Sequence, residues 1–142
     1  MINHTDCAIA LPLPDRLSSL VADIFEVGLP TGTLKPKRGM KVIKSGRTTH
    51  TTEAVIRDVN FRMTLNYSDD VGKVGFLDQV LCTRYTEKGD SGSLVLEKNS
   101  KKAVGLHFAG YPDKNGVKGS VFNPIQEVLK GLGVKLVTKP LK

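Results

Sequence analysis

The chain has 142 residues, enough for one domain with a real core, and 39% of them are hydrophobic against 25% charged, which excludes a disordered polypeptide. No apolar run approaches the ~20 residues a membrane-spanning helix needs, and two cysteines are too few for the disulfide framework of a small secreted protein. The net charge of +7 is densest over Lys35, Lys37, Arg38, Lys41, Lys44 and Arg47, but none of the five Phe and three Tyr is interleaved there, so this stretch reads as a solvated surface rather than a nucleic-acid platform.

In chain order, strand signals dominate. Residues 6–11 read as a strand broken by Pro12 and Pro14, and residues 15–26 place Leu17, Leu20, Val21 and Ile24 at helical spacing, a short connector. Gly28, Pro30, Gly32 and Pro36 mark loops. Strands over 53–59, 61–67 and 76–84 are rich in β-branched and apolar residues. A strand over 93–96, a polar turn over 97–102 and a strand over 103–108 form a hairpin, and residues 119–122 supply the last strand. The C-terminal segment predicts a helix: Asn123 as cap, Pro124 in the first turn, and Ile125, Val128, Leu129 and Leu132 on one face. Lys135, Lys139 and Lys142 read as a solubilising tail.

The run Gly89-Asp90-Ser91-Gly92-Ser93 precedes the apolar strand Leu94-Val95-Leu96. A glycine at 89 permits the tight turn that aims its N–H, with that of Ser91, at one point where an oxyanion could be held, and Asp90 would lock the turn from behind. Read without context, the same run is an ordinary Gly/Ser/Asp turn between strands. His107 stands in a Gly-x-His-x-x-Gly setting on the second hairpin strand, and spacing alone leaves it equally a satisfied core histidine. His4 lies two residues from Asp6 with nothing to fix its ring, and His50, in a polar Thr-rich run, reads as an exposed turn residue. Two cysteines and three scattered histidines lack zinc-ligand spacing, and no metal or cofactor is expected.

The Gly-Asp-Ser-Gly run resembles the nucleophile loop of trypsin-like, chymotrypsin-fold serine peptidases. Asp6-Cys7-Ala8-Ile9-Ala10 resembles the segment bearing their triad aspartate, and residues 39–49 resemble the first strand and turn of the second barrel in bacterial members. The resemblance implies an all-β fold, a closed antiparallel six-stranded β-barrel with a C-terminal α-helix. It divides the chain into an aspartate-bearing strand and inter-barrel connector, residues 1–38, and a C-terminal barrel, residues 39–142. It implies a serine endopeptidase in which Ser91 attacks, Asp6 orients a histidine, and the N–H groups of Gly89 and Ser91 hold the oxyanion.

Thr86, five residues before Ser91, and His107 are similar to the pocket of relatives that accept glutamine or glutamate before the cleaved bond, with Phe108 and Gly110 on the strand that pairs with the substrate. Tyr85 occupies the position where a basic-specific enzyme keeps an aspartate. The resemblance departs at the histidine, whose barrel would lie upstream of Asp6. The expected partners are therefore a peptide or protein substrate and a histidine-bearing barrel from the same precursor or a second chain. An uncovered apolar face could also support a homodimer, and a pseudoprotease that binds peptides without cutting them is the alternative. With no basic start and long apolar stretch of a secretory leader over residues 1–10, a cytoplasmic location is expected.

Overall fold

The computed structural model describes residues 2–112 and 118–141. Apolar and polar side chains alternate along most of the chain after residue 40, and the backbone answers with strands: β1 (Ile2–Asn3), β2 (Lys41–Gly46), β3 (His50–Asn66), β4 (Lys73–Thr83), β5 (Leu94–Glu97), β6 (Ala103–Pro112) and β7 (Lys118–Pro124). Among the described residues a single 3₁₀ segment lies at Pro14–Ser19, in place of the helical connector expected over residues 15–26, and one helix, α1 (Ile125–Leu132), follows β7 directly. The strands form one sheet in the order β1-β4-β3-β2-β5-β6-β7. Strand β4 also pairs with β7, so the antiparallel run from β4 through β3, β2, β5 and β6 to β7 returns to its own first strand.

The sheet therefore has seven strands where six are expected. The additional one is β1, which pairs in parallel with Gly75 and Phe76 on the part of the β4 edge that β7 leaves unpaired. The expected strand over residues 6–11 does not form. The Asp6 N–H instead donates to the Asn123 side-chain carbonyl at 2.8 Å. The two strands expected at 53–59 and 61–67 are one long strand, β3. The residues between them are an irregularity in the pairing with β4, with register shifts between Ile56 and Met63, and the Asp58 carboxylate accepts the Asn60 N–H at 2.9 Å.

Three apolar clusters fill the interior. Val42, Ile56, Val80, Val95, Val104 and Phe122 make the largest. Met63, Val74, Phe76 and Val121 make another. Ile125 of α1 packs with Ile43, Leu96 and Ala103 in the third, so the helix seals one end of the sheet. Asn123 does not cap that helix; its amide donates to the carbonyls of Asp6 and Leu106. Residues ahead of β2 remain largely outside this core: Ile9, Leu11, Leu13, Val21 and Phe25 are all more than 60% exposed. Among the described residues no helix is long and apolar enough to cross a membrane.

Close approach of β6 to β7 depends on Gly105. A methyl group there would overlap the Phe122 ring and the Asn123 carbonyl. Gly105→Ala is therefore expected to cost about 1–3 kcal/mol by overpacking, read as a lowered midpoint in urea and thermal unfolding.

Candidate active site

The loop between β4 and β5 carries Ser91. Its backbone turns through two left-handed glycines, Gly89 at φ +102° and Gly92 at φ +89°. The N–H of Asp90 donates to Glu87 O and that of Ser93 to Asp90 O, both at 3.1 Å, while the N–H of Gly92 donates to His107 O at 2.8 Å. Among the described residues this leaves the N–H groups of Gly89 and Ser91 without an acceptor. Ser91 itself is exposed, and its hydroxyl donates to Phe108 O at 3.3 Å.

Asp90 holds this loop from beneath. It is wholly buried; one carboxylate oxygen accepts the N–H groups of Thr48 at 2.8 Å and Thr49 at 3.1 Å, and the other accepts Glu87 N–H at 2.9 Å and the Thr49 hydroxyl at 2.7 Å. Burial raises its pKa, but these donors prevail and hold it well below the usual carboxylate range. The Lys44 ammonium lies 3.6 Å away with no solvent exposure, donating also to Thr49 Oγ1 at 2.5 Å and His50 O at 2.9 Å. Lys44 is therefore not part of a solvated basic surface, as its neighbours in sequence suggest, but a buried counter-ion to Asp90 of the Ser91 loop. Its pKa is lowered by burial, against the upward pull of Asp90.

On the other side of the loop, Thr86 is buried with its hydroxyl 2.6 Å from Ser120 Oγ, and the Tyr85 N–H donates to the same Ser120 oxygen at 3.2 Å. His107 is 3% exposed and lies edge-on to the Tyr85 ring, 6.3 Å between centroids. Its pKa falls to about 4, chiefly through burial; Asp90 and a hydrogen bond to the Val121 backbone pull upward, and Lys44 pulls downward. Among the described residues the Nδ1 atom of His107 is buried without a partner. Phe108 presents its carbonyl to Ser91 while its ring packs on Phe76 at 5.1 Å, and Gly110 stands opposite Ser120 in the β6–β7 register.

Asp6 is placed by groups that sequence reasoning did not find. The Tyr67 hydroxyl donates to its carboxylate, and Asn123 holds its backbone from both sides. Partial burial and this bond raise the Tyr67 pKa. Tyr67 faces Phe76 at 6.4 Å, and Phe76 faces Phe108, so aromatic rings run from Asp6 toward the Ser91 loop. Among the described contacts no histidine meets Asp6 or Ser91: His4 lies 3.5 Å from the Asp78 carboxylate, and His50 is exposed at the start of β3. An exposed hydroxyl beside two free amides on a braced loop is suited to acyl transfer, given a base.

A sequence model of the trypsin family matches residues 10–132, a span that contains Ser91, Thr86 and His107 and begins after Asp6. Among solved structures, the chain superposes on Cellulomonas bogoriensis chymotrypsin with a TM-score of 0.61 at 26% identity, covering 80% of this chain and 57% of that one. Thermobifida fusca Protease A gives 0.63 at 27% identity, covering 84% and 61%. A glutamic acid-specific serine protease, described as using a histidine triad in substrate binding, shares the fold with a TM-score of 0.61 at 24% identity, covering 82% and 59%. The chain thus spans only 57–61% of the length of these structures. No curated protein matches it.

Proposed function

The chain belongs to the trypsin family, and from that premise we propose that it is the nucleophile-bearing C-terminal part of a serine endopeptidase, completed by a histidine-bearing barrel of the same precursor or a second chain. The observation that carries this reading is the exposed Ser91 hydroxyl on a loop that is fixed by Asp90 and whose Gly89 and Ser91 N–H groups have no acceptor among the described residues. Ser91 Oγ attacks the peptide carbonyl. An imidazole from the partner takes its proton, and Asp6 accepts that imidazole's other N–H. The two amides receive the charge developing on the carbonyl oxygen, and β6 from Phe108 to Gly110 pairs with the extended substrate.

The pocket formed by Thr86, His107, Phe108 and Gly110 takes a glutamine or glutamate side chain in this reading. Support comes from two buried polar groups, the Thr86 hydroxyl and the unpartnered His107 Nδ1, beside the nucleophile. The glutamic acid-specific neighbour uses a histidine triad, whereas here His4 and His50 stand exposed on other elements and only His107 is buried. The exposed apolar residues between Ile9 and Phe25 support a covering partner. One contact favours peptide binding without cleavage as a second reading: the Asp6 carboxylate is bonded to Tyr67 rather than to a histidine.

A fluorophosphonate probe tests the proposal. The chain alone is expected to label poorly. Joined to a histidine-bearing barrel it labels efficiently, and Ser91→Ala abolishes labelling. Absence of labelling in both forms would replace the endopeptidase reading with the peptide-binding one.

A further inference from the structure

Strand β1 ends at Asn3 and leaves Asp6 exposed and outside any strand. Its backbone is nevertheless fixed, the N–H donating to Asn123 Oδ1 at 2.8 Å and the carbonyl accepting from Asn123 Nδ2 at 3.2 Å. Those two bonds leave the side-chain torsions free. The bond that holds the carboxylate comes from elsewhere: the Tyr67 hydroxyl donates to Oδ2, and among the described residues Oδ1 has no donor.

Tyr67 is itself held at both ends. It follows β3 directly, its N–H donates to Gly72 O at 3.0 Å across the β3–β4 turn, and its ring stands 6.4 Å from that of buried Phe76. Burial, then the bond to Asp6 and the charge on Asp6, raise the Tyr67 pKa above its ordinary 10, so its hydroxyl remains a donor wherever an imidazole can act as a base. A cavity of about 280 Å³, lined by Asp6, Tyr67, Val71, Val74 and Phe76 among others, opens at this pair and gives an incoming side chain room beside the carboxylate.

We infer that Tyr67 is a positioning residue for the proposed triad: its hydroxyl holds one oxygen of Asp6, so that the other stands oriented for the N–H of the incoming histidine. The inference rests on the reading of Asp6 as the triad aspartate. An ionised carboxylate accepts several donors over two oxygens, so the bond to Tyr67 and a bond to a histidine are compatible. The carboxylate is ordered before the histidine arrives, and losing that order costs rate rather than substrate affinity, because Tyr67 acts on the base and not on the substrate.

The test uses the chain alone and the chain joined to a histidine-bearing barrel. In the chain alone, the carbon-13 resonance of the Asp6 carboxylate, identified by its loss in Asp6→Asn, is expected to move at about pH 7 in Tyr67→Phe and to stay in place in Tyr111→Phe. In the joined form, Tyr67→Phe keeps the ring and is expected to lower kcat about tenfold with KM unchanged, the loss of one hydrogen bond to a charged group. Placed on an Asp6→Ala background, the same substitution is expected to cost nothing further. An Asp6 resonance unmoved by Tyr67→Phe, an unchanged kcat, or an equal loss on the Asp6→Ala background overturns the inference while the triad stands. A joined form in which Asp6→Ala leaves the rate intact, or which shows no Ser91-dependent labelling, overturns the reading of Asp6 itself.

Discussion

Asp90→Asn is expected to destabilise the fold by about 3–5 kcal/mol, and Lys44→Met by much less, although the two side chains form one buried ion pair. The asymmetry follows from what each leaves behind. Without its charge, position 90 can no longer accept four strong hydrogen bonds from Thr48, Thr49 and Glu87, and it strands the Lys44 ammonium with only Thr49 Oγ1 and His50 O. Without Lys44, Asp90 keeps all four of those donors, and a cation disfavoured by burial is gone. The pH dependence has a definite sign. Folding depresses the Asp90 pKa below its unfolded value of 3.8, so its contribution is complete above that pH and is lost as the pH falls beneath it. Urea melts carried from about pH 7 down to about pH 2 should show an acid limb below pH 3.8 in the wild type that is shallower in Asp90→Asn, where Glu97 still contributes.

Gly89→Ala is expected to lower acylation of the completed enzyme by about 10²–10³-fold, the loss typical of one oxyanion donor. Gly89 sits at φ +102°, where a side chain is strained, and a methyl group would overlap the Thr48 side chain, whose hydroxyl bonds Lys88 O. Relief requires the 89 peptide to rotate, which swings its N–H away from Ser91. Gly92→Ala is the control: its φ of +89° carries similar strain, but a methyl group meets nothing within 4 Å, and its N–H is already bonded to His107 O. Comparable melting temperatures with unequal acylation rates would separate the oxyanion role from plain strain. Equal rates would remove Gly89 from the machinery.

The tight turn around Ser91 was legible because its pattern is local: two glycines, a serine and an aspartate within five residues need no distant partner to predict it. The bracing was less so, yet a signal existed. Along a strand Val42 and Lys44 share a face, and an apolar neighbour two residues away marks Lys44 as buried; only its partner, 46 positions on, lay beyond reading. Ser120 and Tyr67 gave no such hint, since each gains its meaning from a residue 34 or 61 positions away. Asn123 before a proline has every local mark of a helix cap, and tertiary contacts claimed its amide instead. The strand expected at residue 6 failed for a related reason: the Asp6 backbone is held by the Asn123 side chain, a partner 117 positions away.

The bonds between Asp6 and Asn123 span 117 positions, nearly the whole chain. The Ser91 loop, by contrast, is closed by Lys44, Thr48, Thr49 and His107, all within 47 residues of it. During synthesis the Asp6 segment thus emerges well before its anchor, which is made only once β7 is complete. Loop closure over that separation is also the slowest kind of contact to form. The Ser91 loop is consequently expected to be braced before the Asp6 segment is seated, so that folding itself delays the moment at which the two come to lie on one surface.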